Sequence, residues 1–106
     1  WECVFLVGVY LSDMSLFAEV NKAYSARLPM RCPPARLCVS LGDALPGSSR
    51  VGIECLASWK QHSTLHVQSV SRWAPSNIGP YSQAKTLGGR VVVVSGQIAM
   101  DPATIN

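Results

Sequence analysis

Three features of the sequence predict an α+β fold: an apolar run at Val4–Leu11, a helical apolar period over residues 16–28, and a four-valine run at Val91–Val94. The runs are rich in β-branched and aromatic residues and have strand length. The middle segment repeats at three and four residues, the spacing that lines one face of a helix.

Val4–Leu11 is apolar nearly throughout, the pattern of a buried strand. Ser12, Asp13 and Ser15 follow, short side chains able to accept the free amide hydrogens of a first helical turn. Phe17, Val20, Tyr24 and Leu28 then share one face, with Glu19, Lys22 and Ser25 on the other. Pro29, and after it Pro33 and Pro34, end the helix by removing amide donors. Residues 35–41 alternate as a second strand, and residues 42–49, with Pro46-Gly47, form a loop. Val51–Ala57 reads as a third strand, expected to lie antiparallel beside the second and so to bring Arg36 near Glu54. Residues 58–64 are polar and without period, a linker. Beyond it, residues 65–70 read as a short strand, 75–81 as a Pro/Gly loop followed by 82–87, Gly88-Gly89 as a turn, and 90–98 as the valine strand.

Composition excludes several classes of function. The 106 residues are 48% hydrophobic and 14% charged, too apolar for intrinsic disorder. A net charge of +3 from scattered Lys and Arg forms no basic patch for nucleic acid. The longest apolar run is far short of the roughly 20 residues that span a bilayer, so no membrane partner is expected. Cys3, Cys32, Cys38 and Cys55 form no Cys-x-x-Cys pair and read as reduced structural thiols. His62 and His66 have the spacing of a helical metal pair, but Ser63 and Thr64 are poor helix formers and no Glu accompanies them; no metal is expected. The start at Trp1 and the stop at Asn106 within a pattern suggest an excerpt from a longer chain.

Arg36 and Glu54 are the informative ionisable residues, since both lie in sheet-like segments. An arginine there meets a carboxylate, a ligand anion or another chain, or else it costs desolvation. Its planar fork suits a substrate carboxylate; a structural pair with Glu54 is the plainer alternative. Asn21 is the polar residue beside the apolar helix stripe. Gly79-Pro80 stiffens the loop and aims Tyr81, while Ser95 ends the valine run. No nucleophile elbow and no phosphate-binding glycine loop is present.

The stretch Ile78-Gly79-Pro80-Tyr81-Ser82-Gln83-Ala84, with Ser95-Gly96-Gln97-Ile98 and Asp101-Pro102-Ala103-Thr104, resembles the opening half of the Rid family, also called YjgF or liver perchloric-acid-soluble protein. Val20-Asn21-Lys22-Ala23-Tyr24, Pro34-Ala35-Arg36-Leu37-Cys38-Val39, Leu45-Pro46 and Ile53-Glu54 resemble its closing half. The closing half comes first. The chain therefore resembles the end of one Rid domain (residues 1–57), a linker (58–64) and the start of a second (65–106).

The resemblance implies a chorismate-mutase-like antiparallel sheet with one clear amphipathic helix, as a partial or permuted domain whose complementary halves pair their strands. It implies Arg36 as the residue that holds the carboxylate of an enamine or imine. Glu54 would position or activate the hydrolytic water, and Asn21, Cys38, Tyr81 and Ser95 would complete the pocket. Deaminase-type hydrolysis is the first function so implied; a non-catalytic module for trimer-like assembly or ligand sensing is the second. Tandem Rid domains in this arrangement close a long, ATP-dependent ligase of diphthamide biosynthesis that acts on elongation factor 2. The resemblance thus implies ATP and elongation factor 2 for a longer parent protein, no cofactor in this segment, and a cytoplasmic location.

Overall fold

The computed structural model describes residues 1–28 and 31–106. Strand β1 (Val4–Leu11) is the centre of a three-stranded sheet, with β2 (Ala35–Ser40) on one edge and β3 (Val51–Ala57) on the other. Its alternation is visible in burial: Val7, Val9 and Leu11 are fully inaccessible. Each such side chain contributes about 1.5–3 kcal/mol by leaving water, so this one strand face anchors the first half of the chain.

Asp13 carries the chain off β1 by accepting the amide hydrogen of Ser15 at 2.7 Å, which caps a single 3-10 turn, Met14–Leu16. Helix α1 (Phe17–Ser25) follows, shorter than the period over 16–28 suggested. Its last turn tightens as Arg27 N donates to Tyr24 O, yet Leu28 stays buried with Leu16 and Tyr24 against Val7, Val9 and Leu11. The apolar stripe thus outlasts the helix. The proline expected to stop it, Pro29, lies outside the described residues.

Because α1 returns the chain to the starting end of β1, β2 runs parallel to β1, whereas β3 is antiparallel to it. This corrects two expectations. The first sheet is mixed rather than antiparallel, and β2 and β3 are separated by β1 rather than adjacent. Strand β1 takes the centre because its near-continuous apolar run suits a position bonded on both edges.

Strands β4 (His62–Leu65), β5 (Ala84–Leu87) and β6 (Val91–Val94) form an antiparallel sheet in that order. The polar stretch read as linker therefore gives His62, Ser63 and Thr64 to β4, where they face Leu87, Thr86 and Lys85. The strand expected over 65–70 keeps only Leu65. Beyond it the Gln83 side chain does the pairing, since Val67 N donates to Gln83 Oε1 at 2.8 Å and Gln83 Nε2 donates to Val67 O at 2.7 Å. Gly88 and Gly89, at φ of +54° and +68°, take left-handed positions that favour glycine in the three-residue β5–β6 turn that Arg90 completes.

The two sheets meet along the free edge of β2. Ala35 bridges Ser82 in parallel, Ser82 N donates to Pro34 O at 3.1 Å, and Gly96 N donates to Arg36 O at 3.0 Å. The valine run therefore leaves the β6 ladder at Ser95, where the chain exchanges β5 for β2 as its partner. Ser95 Oγ stitches the seam: it accepts from Arg36 N at 2.8 Å and donates to Ser82 O.

Candidate functional site

Arg36 is the centre of the site, and its position follows from strand register. It faces Val7 on β1, so its side chain points to the α1 side of the sheet, where it is 5% exposed. Arg36 Nη1 donates to Asn21 Oδ1 on α1 at 2.6 Å. The guanidinium carbon lies 5.0 Å from the centre of the Tyr24 ring, 5.7 Å from Tyr81 and 6.0 Å from Phe17. Three rings and one amide oxygen thus hold the cation, each ring offering its electron-rich face. Its hydrogen-bonding side-chain partner is a neutral amide, not a carboxylate.

The remaining donors of the fork border a pocket of about 320 Å³. Its lining includes Arg36 and Cys38 from β2, Ile78 and Tyr81 from the Gly-Pro loop, and Gln97 and Ile98 from beyond the valine run. Gly79 lets the Tyr81 loop approach closely, since a Cβ there would come within 3.0 Å of Arg36 Nη2. Burial pulls the Arg36 pKa below the usual arginine value, with the tyrosines and Cys38 opposing; arginine nonetheless stays charged near neutrality. Burial pushes the Cys38 thiol up, against the pull of Arg36, which keeps it protonated. Burial likewise raises Tyr24 to about 12, and its hydroxyl is buried without a hydrogen-bond partner.

Of the six residues marked in the sequence, four gather here: Arg36, Asn21, Cys38 and Tyr81. Ser95 is adjacent, but its hydroxyl is consumed by the seam and it is 3% exposed, so it anchors the Arg36 backbone instead of lining the pocket. Glu54 is elsewhere. It pairs in register with Gly8, whose neighbours Val7 and Val9 face α1, so it points to the opposite face of the sheet. There it is exposed and accepts a hydrogen bond from Tyr10 Oη at 3.1 Å. Neither the expected Arg36–Glu54 pair nor a shared site forms within one chain, because an even–odd difference in strand register decides the face. Phe17, Gln97 and Ile98 complete the site. Phe17 was legible only as helix stripe; Gln97 and Ile98 lay in a stretch marked for its serine.

No protein-family model matches the chain, and no solved structure matches it. Two curated proteins are similar to it. A diphthine–ammonia ligase of Schizosaccharomyces pombe is 42% identical over 103 residues, which cover 96% of this chain and 16% of that protein. A diphthine–ammonia ligase of Saccharomyces cerevisiae is 34% identical over 114 residues, covering 92% of this chain and again 16% of the relative. The chain thus spans about a sixth of the length of these relatives.

Proposed function

We propose that this chain is a Rid-like segment of a diphthine–ammonia ligase, and that its Arg36 pocket binds a small carboxylate-bearing molecule as a ligand-sensing site. Similarity to two proteins of that name along nearly the whole chain supports the first part. A single observation carries the second: an arginine that is 5% exposed borders a pocket, and among the described residues its side-chain hydrogen-bond partner is a neutral amide alone. A buried cation of this kind costs desolvation that an incoming carboxylate offsets, through the two parallel hydrogen bonds of a fork.

Binding fits the geometry better than hydrolysis. Among the described residues the pocket is bordered by no carboxylate and no imidazole, and burial raises the Cys38 pKa, so it holds no general base of the usual kind. Deaminase-type turnover of an enamine or imine needs a base such as Glu54, which a trimer-like neighbour would have to bring. The face of the first sheet away from α1 is suited to such self-association, with Val39 and Leu56 exposed. In the parent protein, ATP-dependent ligation falls to residues outside this chain, and elongation factor 2 is the partner of the whole protein.

Pyruvate, a stable carboxylate of the right size, serves as the probe in an NMR titration. Arg36→Ala is expected to weaken its binding by at least about tenfold, the loss typical of a charge-assisted pair. Glu54→Gln should leave it unchanged, and freshly generated 2-aminoacrylate should decay as in buffer. Equal pyruvate affinity in parent and Arg36→Ala would sink the binding reading. Turnover of 2-aminoacrylate that Arg36→Ala abolishes would replace sensing by deaminase-type catalysis.

A further inference from the structure

A second cation is buried on the other side of the seam. Lys85, on β5, is 5% exposed, and it lines a cleft of about 600 Å³ that shares no lining residue with the Arg36 pocket. Its Nζ donates to Cys32 O at 3.0 Å and to Thr64 Oγ1 at 2.8 Å. Both acceptors are neutral. An ammonium carries three N–H donors, so one is left over, and the positive charge meets no carboxylate among these partners. Burial lowers the Lys85 pKa from its usual value, with only the Cys32 thiol opposing. A lysine at a nine-tenths buried strand position, without an anion beside it, is costly unless something in the cleft supplies one.

The rim shows the same charge preference. Lys60 and Arg31 border the cleft and Glu2 is the one carboxylate among its lining residues, leaving an excess of positive charge over its mouth. Trp59, 93% exposed, stands at the same rim, where an indole can cover the apolar part of a ligand or report its arrival.

We propose that this cleft is a binding site for a small oxyanion, a phosphate or a carboxylate, with Lys85 as its buried anchor and Lys60 and Arg31 as its outer cations. The site is separate from the Arg36 pocket and does not depend on the reading given to that pocket. Its two candidate ligand sources share the oxyanion and differ in charge, so parallel titrations distinguish them.

The test is an NMR titration of the chain with inorganic phosphate and, separately, with acetate at constant ionic strength. It follows the amides of Thr64 and Lys85 together with tryptophan fluorescence. A saturable shift at Thr64 and Lys85 is expected, with phosphate binding in the millimolar range, about 1 mM, and acetate more weakly. Lys85→Met should weaken it at least about tenfold and Lys60→Gln about two- to threefold. Lys60 is exposed, so its variant folds even if Lys85→Met does not. Tighter binding of acetate than of phosphate would assign the cleft to carboxylates. Linear, non-saturating shifts with both anions, or affinities untouched by Lys60→Gln and Lys85→Met, would overturn the proposal.

Discussion

Ser95→Ala should be among the most destabilising single-atom deletions in this chain, because one hydroxyl joins the two sheets. Ser95 Oγ accepts from Arg36 N and donates to Ser82 O, and both Ser95 and Ser82 are essentially inaccessible to water. Alanine removes the oxygen and leaves a buried N–H on β2 without that acceptor. It also takes one donor from the Ser82 carbonyl. Stranding a buried polar group costs about 1–3 kcal/mol, and two at once point to a loss of about 3 kcal/mol. With an unfolding entropy of about 2.1 cal/mol/K per residue, a chain of this length loses about 13 °C in Tm for that amount. Thermal unfolding by circular dichroism, with urea unfolding at 25 °C beside it, measures the loss. Amide exchange at Arg36 should accelerate as the seam loosens. A Tm within about 2 °C of the parent, with Arg36 exchange unchanged, would refute the reasoning by showing that water or a local shift satisfies both groups.

Two further outcomes follow from the Arg36 pocket. Gly79→Ala sets a Cβ 3.0 Å from Arg36 Nη2, so the guanidinium or the loop must give slightly; pyruvate binding should weaken by about three- to tenfold with little change in Tm, read by the same NMR titration. Tyr24→Phe deletes a hydroxyl that is buried without a partner, so Tm at pH 7 should stay level or rise. The folded-state pKa of Tyr24 is raised to about 12, so its contribution to stability is complete below pH 10 and is lost as pH climbs through 12. Tyr24→Phe should accordingly flatten the alkaline decline in urea midpoint across that window, and an unchanged decline would contradict the assignment.

The strands and helix of the first half were legible because burial writes a period into the chain. β1 and β3 have the bounds that their apolar runs suggest, and α1 carries the expected stripe of Phe17, Val20 and Tyr24. The second half was less legible for a definite reason. There, side chains replace ladder bonds: Gln83 pairs with Val67, and Ser95 hands the chain from β5 to β2. Neither act has a period, so the strand over 65–70 and the long valine strand both contracted. Buried Lys85 was invisible for the same reason, since a lone polar residue in a strand carries no sign of what will cover it.

Local chemistry determined the residues around the Arg36 pocket: glycine and proline shaped the tyrosine loop, helical spacing placed Asn21 beside the apolar stripe, and alternation separated Arg36 and Cys38 from Leu37 and Val39, although it is the Arg36 face and not the Val39 face that the structure buries. Only the tertiary structure decided which strand lies between which. That order put β1 between β2 and β3 and made β2 parallel to it. Register then placed Glu54 on the far face of the sheet from Arg36. The physical reason is that a strand's side chains alternate whatever its neighbours are, whereas the choice of neighbour rests on backbone hydrogen bonds common to every residue type.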